Sequence, residues 1–157
     1  MNSSKRSASS EAPMHSDCAP RLLRFFQLLN GDQAVAEKLT IDTLVESADL
    51  AGVRLSNGMP AALVYCAVRK ASAAPDPSSP PEDKLVLAVQ ALPRPQRMVV
   101  GLFRGLGLPL EEVATIIGAS VRQSRRLCAD GLLAIHRSLA TADAGSSTAA
   151  KHIGEIS

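Results

Sequence analysis

Residues 108–139, LPLEEVATIIGASVRQSRRLCADGLLAIHRSL, leave the chain few ways to fold. Pro109 stands where the first turn of a helix tolerates proline. Glu111 and Glu112 fall in that turn, where the positive end of the helix dipole favours carboxylates. Val113, Ile116 and Ile117 form an apolar stripe, and Ala114 is small where a second helix must cross closely. Gly118 supplies the left-handed residue that ends the helix. Ser120 can cap the next helix, with Gln123 three residues on to complete a capping box. These offsets spell a helix-turn-helix. With Ser120 as the cap, Val121, Ser124, Cys128, Gly131 or Leu132, Ile135 and Leu139 face inward, and Arg122, Arg125 and Arg126 share the outer face. Three guanidinium groups at the start of a second helix are placed where bidentate contacts to guanine edges and phosphates are made. A solvated basic face is the alternative reading of the same arginines.

The remaining residues point to an all-α fold. The chain has 24 Ala and 20 Leu against one Tyr, three Phe and no Trp, so its core must be aliphatic, which favours helix packing over a sandwich or barrel. No apolar run approaches the roughly 20 residues of a membrane span, and the first twenty residues lack a signal peptide's apolar stretch. A cytoplasmic location is expected. Cys18, Cys66 and Cys128 are far apart and form no CxxC, which suggests neither disulfides nor zinc, and Cys66 and Cys128 are expected as small buried hydrophobes. The net charge of +2 hides a bias: residues 82–139 carry eight Lys/Arg against five Asp/Glu.

Proline and serine divide the chain. Residues 1–20 and 141–157 are rich in small and polar residues without periodicity, and both are expected as disordered tails. ASAAPDPSSPPED (71–83) reads as a flexible linker between two small helical modules, 21–70 and 84–140. Each is near the size at which a single core is marginal, so mutual docking or a partner would supply part of the stability. In the first module, RLLRFFQLL is apolar almost all round, Asn30-Gly31 breaks it, Asp32 caps a second helix, and Pro60 opens a third, AALVYCAVRKA. In the second, LVLAVQAL precedes Pro93 and Pro95, and a helix over 96–104 ends at Gly105 and Gly107.

ALPRPQRMVVGLFRGLGLPLEEVATIIGASVRQS resembles region 4 of the extracytoplasmic-function sigma factors, through Leu92-Pro93, Arg97, Gly107, Glu112-Val113-Ala114 and Gly118-Ala119-Ser120. Ser124 stands for a usual valine and Leu127 for a common basic residue. GDQAVAEKLTIDTL resembles the region 2 helix that grips core RNA polymerase, matching at Gly31, Asp32, Ala36, Glu37, Leu39 and Asp42, with Lys38, Ile41 and Leu44 replacing Asp, Gln and Phe. AALVYCAVRKA resembles a further helix of that region through Leu63, Val68 and Arg69, with Ala62 for Trp. The resemblance implies minus-35 promoter reading by Ser120, Arg122, Gln123, Arg125 and Arg126. It also implies core polymerase binding by Asp32, Glu37, Leu39 and Asp42, and an anti-sigma factor as a further partner. The loop ESADLAGVRLSNGM has one Arg and no aromatic, whereas holding melted promoter bases relies on basic and aromatic side chains.

The same segments are similar to the sigma-like domains of general-stress-response regulators, which mimic a sigma factor and capture its anti-sigma factor. Those domains tend to be acidic where this chain has three arginines, and they are paired with a receiver domain that is not expected from these residues. A helix-turn-helix regulator without sigma activity is a third reading. No enzyme is expected: His15, His136 and His152 are isolated, no nucleophile–base pair can be placed, and the FRGLGLP glycines carry no phosphate-loop Lys-Ser/Thr. Neither cofactor nor metal is implied.

Overall fold

The computed structural model describes residues 12–50 and 52–153. Among these described residues seven α-helices follow one another: α1 (Ala12–Asn30), α2 (Gln33–Ser47), α3 (Ala61–Ala73), α4 (Lys84–Gln90), α5 (Arg94–Val100), α6 (Leu110–Ile117) and α7 (Val121–Ile153). A π-helical turn, Gly101–Gly105, continues α5. No strand forms among the described residues, and an isolated antiparallel bridge joins Arg54 to Pro60. None of the described helices is long and apolar enough to cross a membrane.

The punctuation of the sequence sets these boundaries. Gly31, at φ 73°, breaks the chain after α1, and the Asp32 carboxylate caps α2 by accepting from the Val35 N–H at 3.0 Å. Asp83 caps α4 in the same way, accepting from the N–H groups of Leu85 (2.8 Å) and Val86 (3.1 Å). Pro60, Pro93 and Pro109 each stand immediately before a helix, where a missing N–H costs nothing. Arg97 locks the α4–α5 corner: its guanidinium donates to the carbonyls of Gln90 (2.7 Å) and Leu92 (3.1 Å).

The broad apolar stretch of α1 over 22–29 is covered on several sides, while Asp17 and Arg21 are exposed. The helix packs against α2, α3, α4, α5 and the π turn, and Leu22, Phe25 and Phe26 are fully buried. One apolar cluster joins these residues to Leu63 and Val64 of α3, to Val99, Leu102, Leu106 and Leu108, and to Val113 and Cys128 of the helix-turn-helix. The close approach of α1 to the π turn favours glycine. A Cβ on Gly101 would lie 3.3 Å from Phe25 Cε2 and 3.2 Å from Leu29 Cγ, and one on Gly105 would lie 3.3 Å from the Phe25 Cα. Polar ties run the same way. Glu112, in the first turn of α6, accepts from the Ser56 N–H and hydroxyl, both at 2.9 Å, and Asn57 Nδ2 donates to the Leu106 carbonyl at 2.8 Å. Buried residues from 21–70 and from 84–140 therefore share one core.

Three boundaries expected from composition are corrected. The N-terminal tail is helical from Ala12, and Cys18 is buried in the core, so α1 begins well before residue 21. The expectation for residues 1–11 lies outside the described residues. Residues 141–153 continue α7 without a proline to stop it, through Gly145 and the Ser/Thr run after it, and Lys84 Nζ lies 3.6 Å from Asp143 Oδ1 along it. The expectation for 154–157 again lies outside the description. Residues 71–73 close α3, and two residues of the expected linker, Asp76 and Pro77, lie near the helices although most of 74–83 is exposed. Asp76 pairs with Arg94 and Arg97, and Pro77 sits so near Gly31 that a Cβ there would lie 3.2 Å from Pro77 Cγ.

Candidate nucleic-acid interface

The turn between α6 and α7 has the predicted glycine and serine cap, though among the described residues the Gln123 side chain does not return the second bond of a capping box. Gly118 adopts φ 69°, ψ 33°, and the Ala119 N–H reaches back to the Ala114 carbonyl at 2.9 Å, which satisfies an otherwise open helix end. Ser120 Oγ accepts from the Gln123 N–H at 3.1 Å and so caps α7, an interaction whose loss to alanine typically costs about 1 kcal/mol. Along α7, Ser124, Cys128, Gly131 and Ile135 are buried, while Val121, Leu132 and Leu139 are half-buried, which is the predicted inward stripe. Gly131 marks the crossing of α7 over α5, where a Cβ would meet Val100 Cγ2 at 2.9 Å.

All five expected DNA-reading residues are exposed: Ser120, Arg122, Gln123, Arg125 and Arg126. Arg125 Nη2 stands 3.7 Å from Glu111 Oε1, and Arg126 Nε stands 3.8 Å from Asp130 Oδ2. Arg122 makes no ion pair among the described residues. Contacts this long between solvated groups are worth little, so phosphate oxygens can replace these carboxylates at small cost. The arginines occupy the first two turns of α7, at the positive end of its dipole, which adds to their attraction for anions.

Ser124, where the resembled family has valine, is fully buried, and its hydroxyl has no hydrogen-bond partner among the described residues. An unsatisfied buried hydroxyl costs about 1–3 kcal/mol. Ser124→Ala removes that polar atom and leaves α7 a better helix former, so urea unfolding should show a gain of about 1 kcal/mol. A loss of stability would mean that the hydroxyl is satisfied in solution.

The four residues expected to bind polymerase all lie on α2 or at its cap. Asp32 is spent on the α2 cap, and Leu39 is half-buried against the core. Glu37 is exposed and accepts from Gln33 Nε2 at 2.7 Å, while Asp42 pairs with Lys38 at 2.7 Å. The signal missed in the sequence is that α2 has apolar residues on both sides, Ala36, Leu39 and Leu44 toward the core and Ile41 and Val45 toward solvent. Its buried positions include Thr40, Thr43 and Ser47, whose hydroxyls donate to the carbonyls of Ala36, Leu39 and Thr43 at 2.6–2.7 Å and so enter the core satisfied. Ile41 and Val45 point outward, 61% and 71% exposed, and Leu50 and Val53 beyond the helix are exposed with them. Ile41 and Val45, at i and i+4, are the cue that could have found this face. On the opposite flank Glu46 is held by Lys70 Nζ at 2.7 Å and by Arg69, and these two cations hold its carboxyl below the ordinary carboxylate range.

All three cysteines are free and buried. Burial pushes the Cys128 thiol above its ordinary value, only partly opposed by Arg104, and Cys18 is raised for the same reason against Arg21 and Arg54. A raised thiol pKa keeps the sulfur protonated and unreactive at neutral pH. Among the described residues no group of three or more His, Cys, Asp or Glu could hold a metal ion. No protein-family model, curated protein or solved structure matches the chain.

Proposed function

We propose that the chain is a sigma factor-like DNA-binding transcription regulator. α7 enters the major groove at a minus-35-type promoter element and reads it through Arg122, Arg125 and Arg126, with Ser120 and Gln123 at the turn. The observation that carries this reading is the exposed arginine triad on the first two turns of a capped second helix of a helix-turn-helix. On the same proposal 21–70 is region 2-like and 84–140 region 4-like, and α2 offers its outward face to core RNA polymerase. Ile41 and Val45 support that docking better than the acidic residues do, because exposed aliphatics gain most from being covered.

A second reading has its own observation. A sigma factor places two modules on separate promoter elements, whereas here residues of both halves share one apolar cluster. That closure favours an anti-sigma-binding mimic, or a regulator that occupies DNA without sigma activity. One experiment separates them: purified protein, core RNA polymerase and a promoter fragment from the gene's own neighbourhood. Transcripts are expected, and Ile41→Glu with Val45→Glu should remove them while leaving DNA binding intact. DNA binding without transcripts would favour the regulator. Neither, with capture of an anti-sigma factor, would favour the mimic.

A further inference from the structure

Beside the helix-turn-helix turn, between the C-terminal ends of α1 and α3 and the start of α5, lies a cleft of about 560 Å³. Small-ligand sites typically measure about 300–1,000 Å³ and combine apolar walls with a few convergent polar groups. This cleft has both. Val68, Met98, Ile116, Ile117 and Leu127 supply aliphatic wall, and Arg94 and Arg97 bring two positive charges. One carboxylate serves both: Asp76 Oδ1 lies 3.7 Å from Arg94 Nη2 and 3.4 Å from Arg97 Nη1, which leaves the cleft with an excess of one positive charge. Asn30, also in the lining, is buried with its Oδ1 acceptor unpartnered, which offers an acid nothing, and the guanidinium of Arg97 is committed to Gln90 and Leu92, so the exposed guanidinium of Arg94 supplies the hydrogen bonds and Arg97 adds charge behind it.

We propose that this cleft is a binding site for a small amphipathic acid. The ligand's compact apolar body lies among Met98, Ile116 and Leu127, and its carboxylate faces Arg94 and Arg97. The excess charge selects an anion over an alcohol or an amine of the same shape, because a charge-assisted hydrogen bond is about twice as strong as a neutral one. Ile117, Ala119 and Gln123 also line the cleft, so an occupant touches the turn that sets the direction of α7. Binding at this site does not depend on whether α7 contacts DNA.

The test is an amide NMR titration of the full chain with 4-phenylbutanoate, set against 4-phenylbutan-1-ol and 4-phenylbutylammonium. Saturable one-site shifts are expected at Met98, Ala119, Gln123 and Leu127, with the alcohol and the amine at least about tenfold weaker. Arg94 is a mostly exposed side chain with only a long ion pair, so Arg94→Gln should fold as the parent does and weaken the acid by about three- to tenfold. Ala71→Phe, which pushes a ring into the cleft from α3, should abolish the saturable shifts. Shifts that never saturate, equal binding of the three probes, or parent-like binding by Arg94→Gln would overturn the proposal.

Discussion

Phe25→Ala is expected to destabilise the whole protein by about 3–5 kcal/mol, the range for deleting a fully buried ring whose surroundings relax only partly. Phe25 has no exposed surface, meets Phe26 edge-on with ring centroids 5.4 Å apart, and lies against the backbone of Gly101 and Gly105. The collapse that would soften the loss is blocked on that side, since glycine has no side chain to move in. Because the same cluster reaches Val113 and Cys128, the variant should loosen the helix-turn-helix as well as the N-terminal helices. Urea unfolding followed by far-ultraviolet circular dichroism and by an amide resonance of α7 should therefore show one shared transition, displaced to lower urea. Two transitions, with the α7 signal at the parent midpoint, would mean that the halves fold independently.

Arg125→Ala and Arg126→Ala should each weaken promoter binding by about 1–3 kcal/mol where the guanidinium is bidentate to a base. Where it touches phosphate instead, the slope of log K against log salt should flatten by about 0.9 per contact removed. Stability should hardly change, because the pairs these arginines make with Glu111 and Asp130 are long and solvated. Fluorescence anisotropy at several salt concentrations separates the two modes, with Arg137→Ala, far along the same helix, as the control. Affinity and salt slope unmoved by both substitutions would sink the assignment of α7 as the reading helix.

Local structure was legible in the sequence wherever a residue has one physical reason to be where it is. Gly118 forms the left-handed end of α6, Asp32 and Ser120 cap helices, and Pro60 and Pro109 stand at helix starts, each as its type and position predict. The inward stripe of α7 followed from spacing alone. What periodicity cannot say is which surface covers an apolar face. The breadth of apolar residues over 21–29 showed that α1 would be enclosed, but not that the π turn and α4 of the other half would help enclose it. The Pro/Ser composition of 71–83 argued for freedom, whereas Asp76 and Pro77 lie against Arg97 and Gly31 through contacts distant in sequence. Asp32 and Leu39 each have a place in the fold as a cap and a half-buried core contact, because carboxylate and leucine are as useful to the fold as to a partner. The three arginines were placed correctly because nothing inside the protein needs them.

The glycine-lined contact between α1 and the π turn bears on how the chain matures as it is made. Gly101 and Gly105 follow Phe25 by about 75–80 residues, so at roughly 5–20 residues per second α1 waits about 4–16 s on the ribosome before the surface that covers it exists. A helix carrying Leu22, Phe25 and Phe26 is open to chaperones and to aggregation for that interval. Expression yield should therefore depend on the speed of translation between residues 30 and 105.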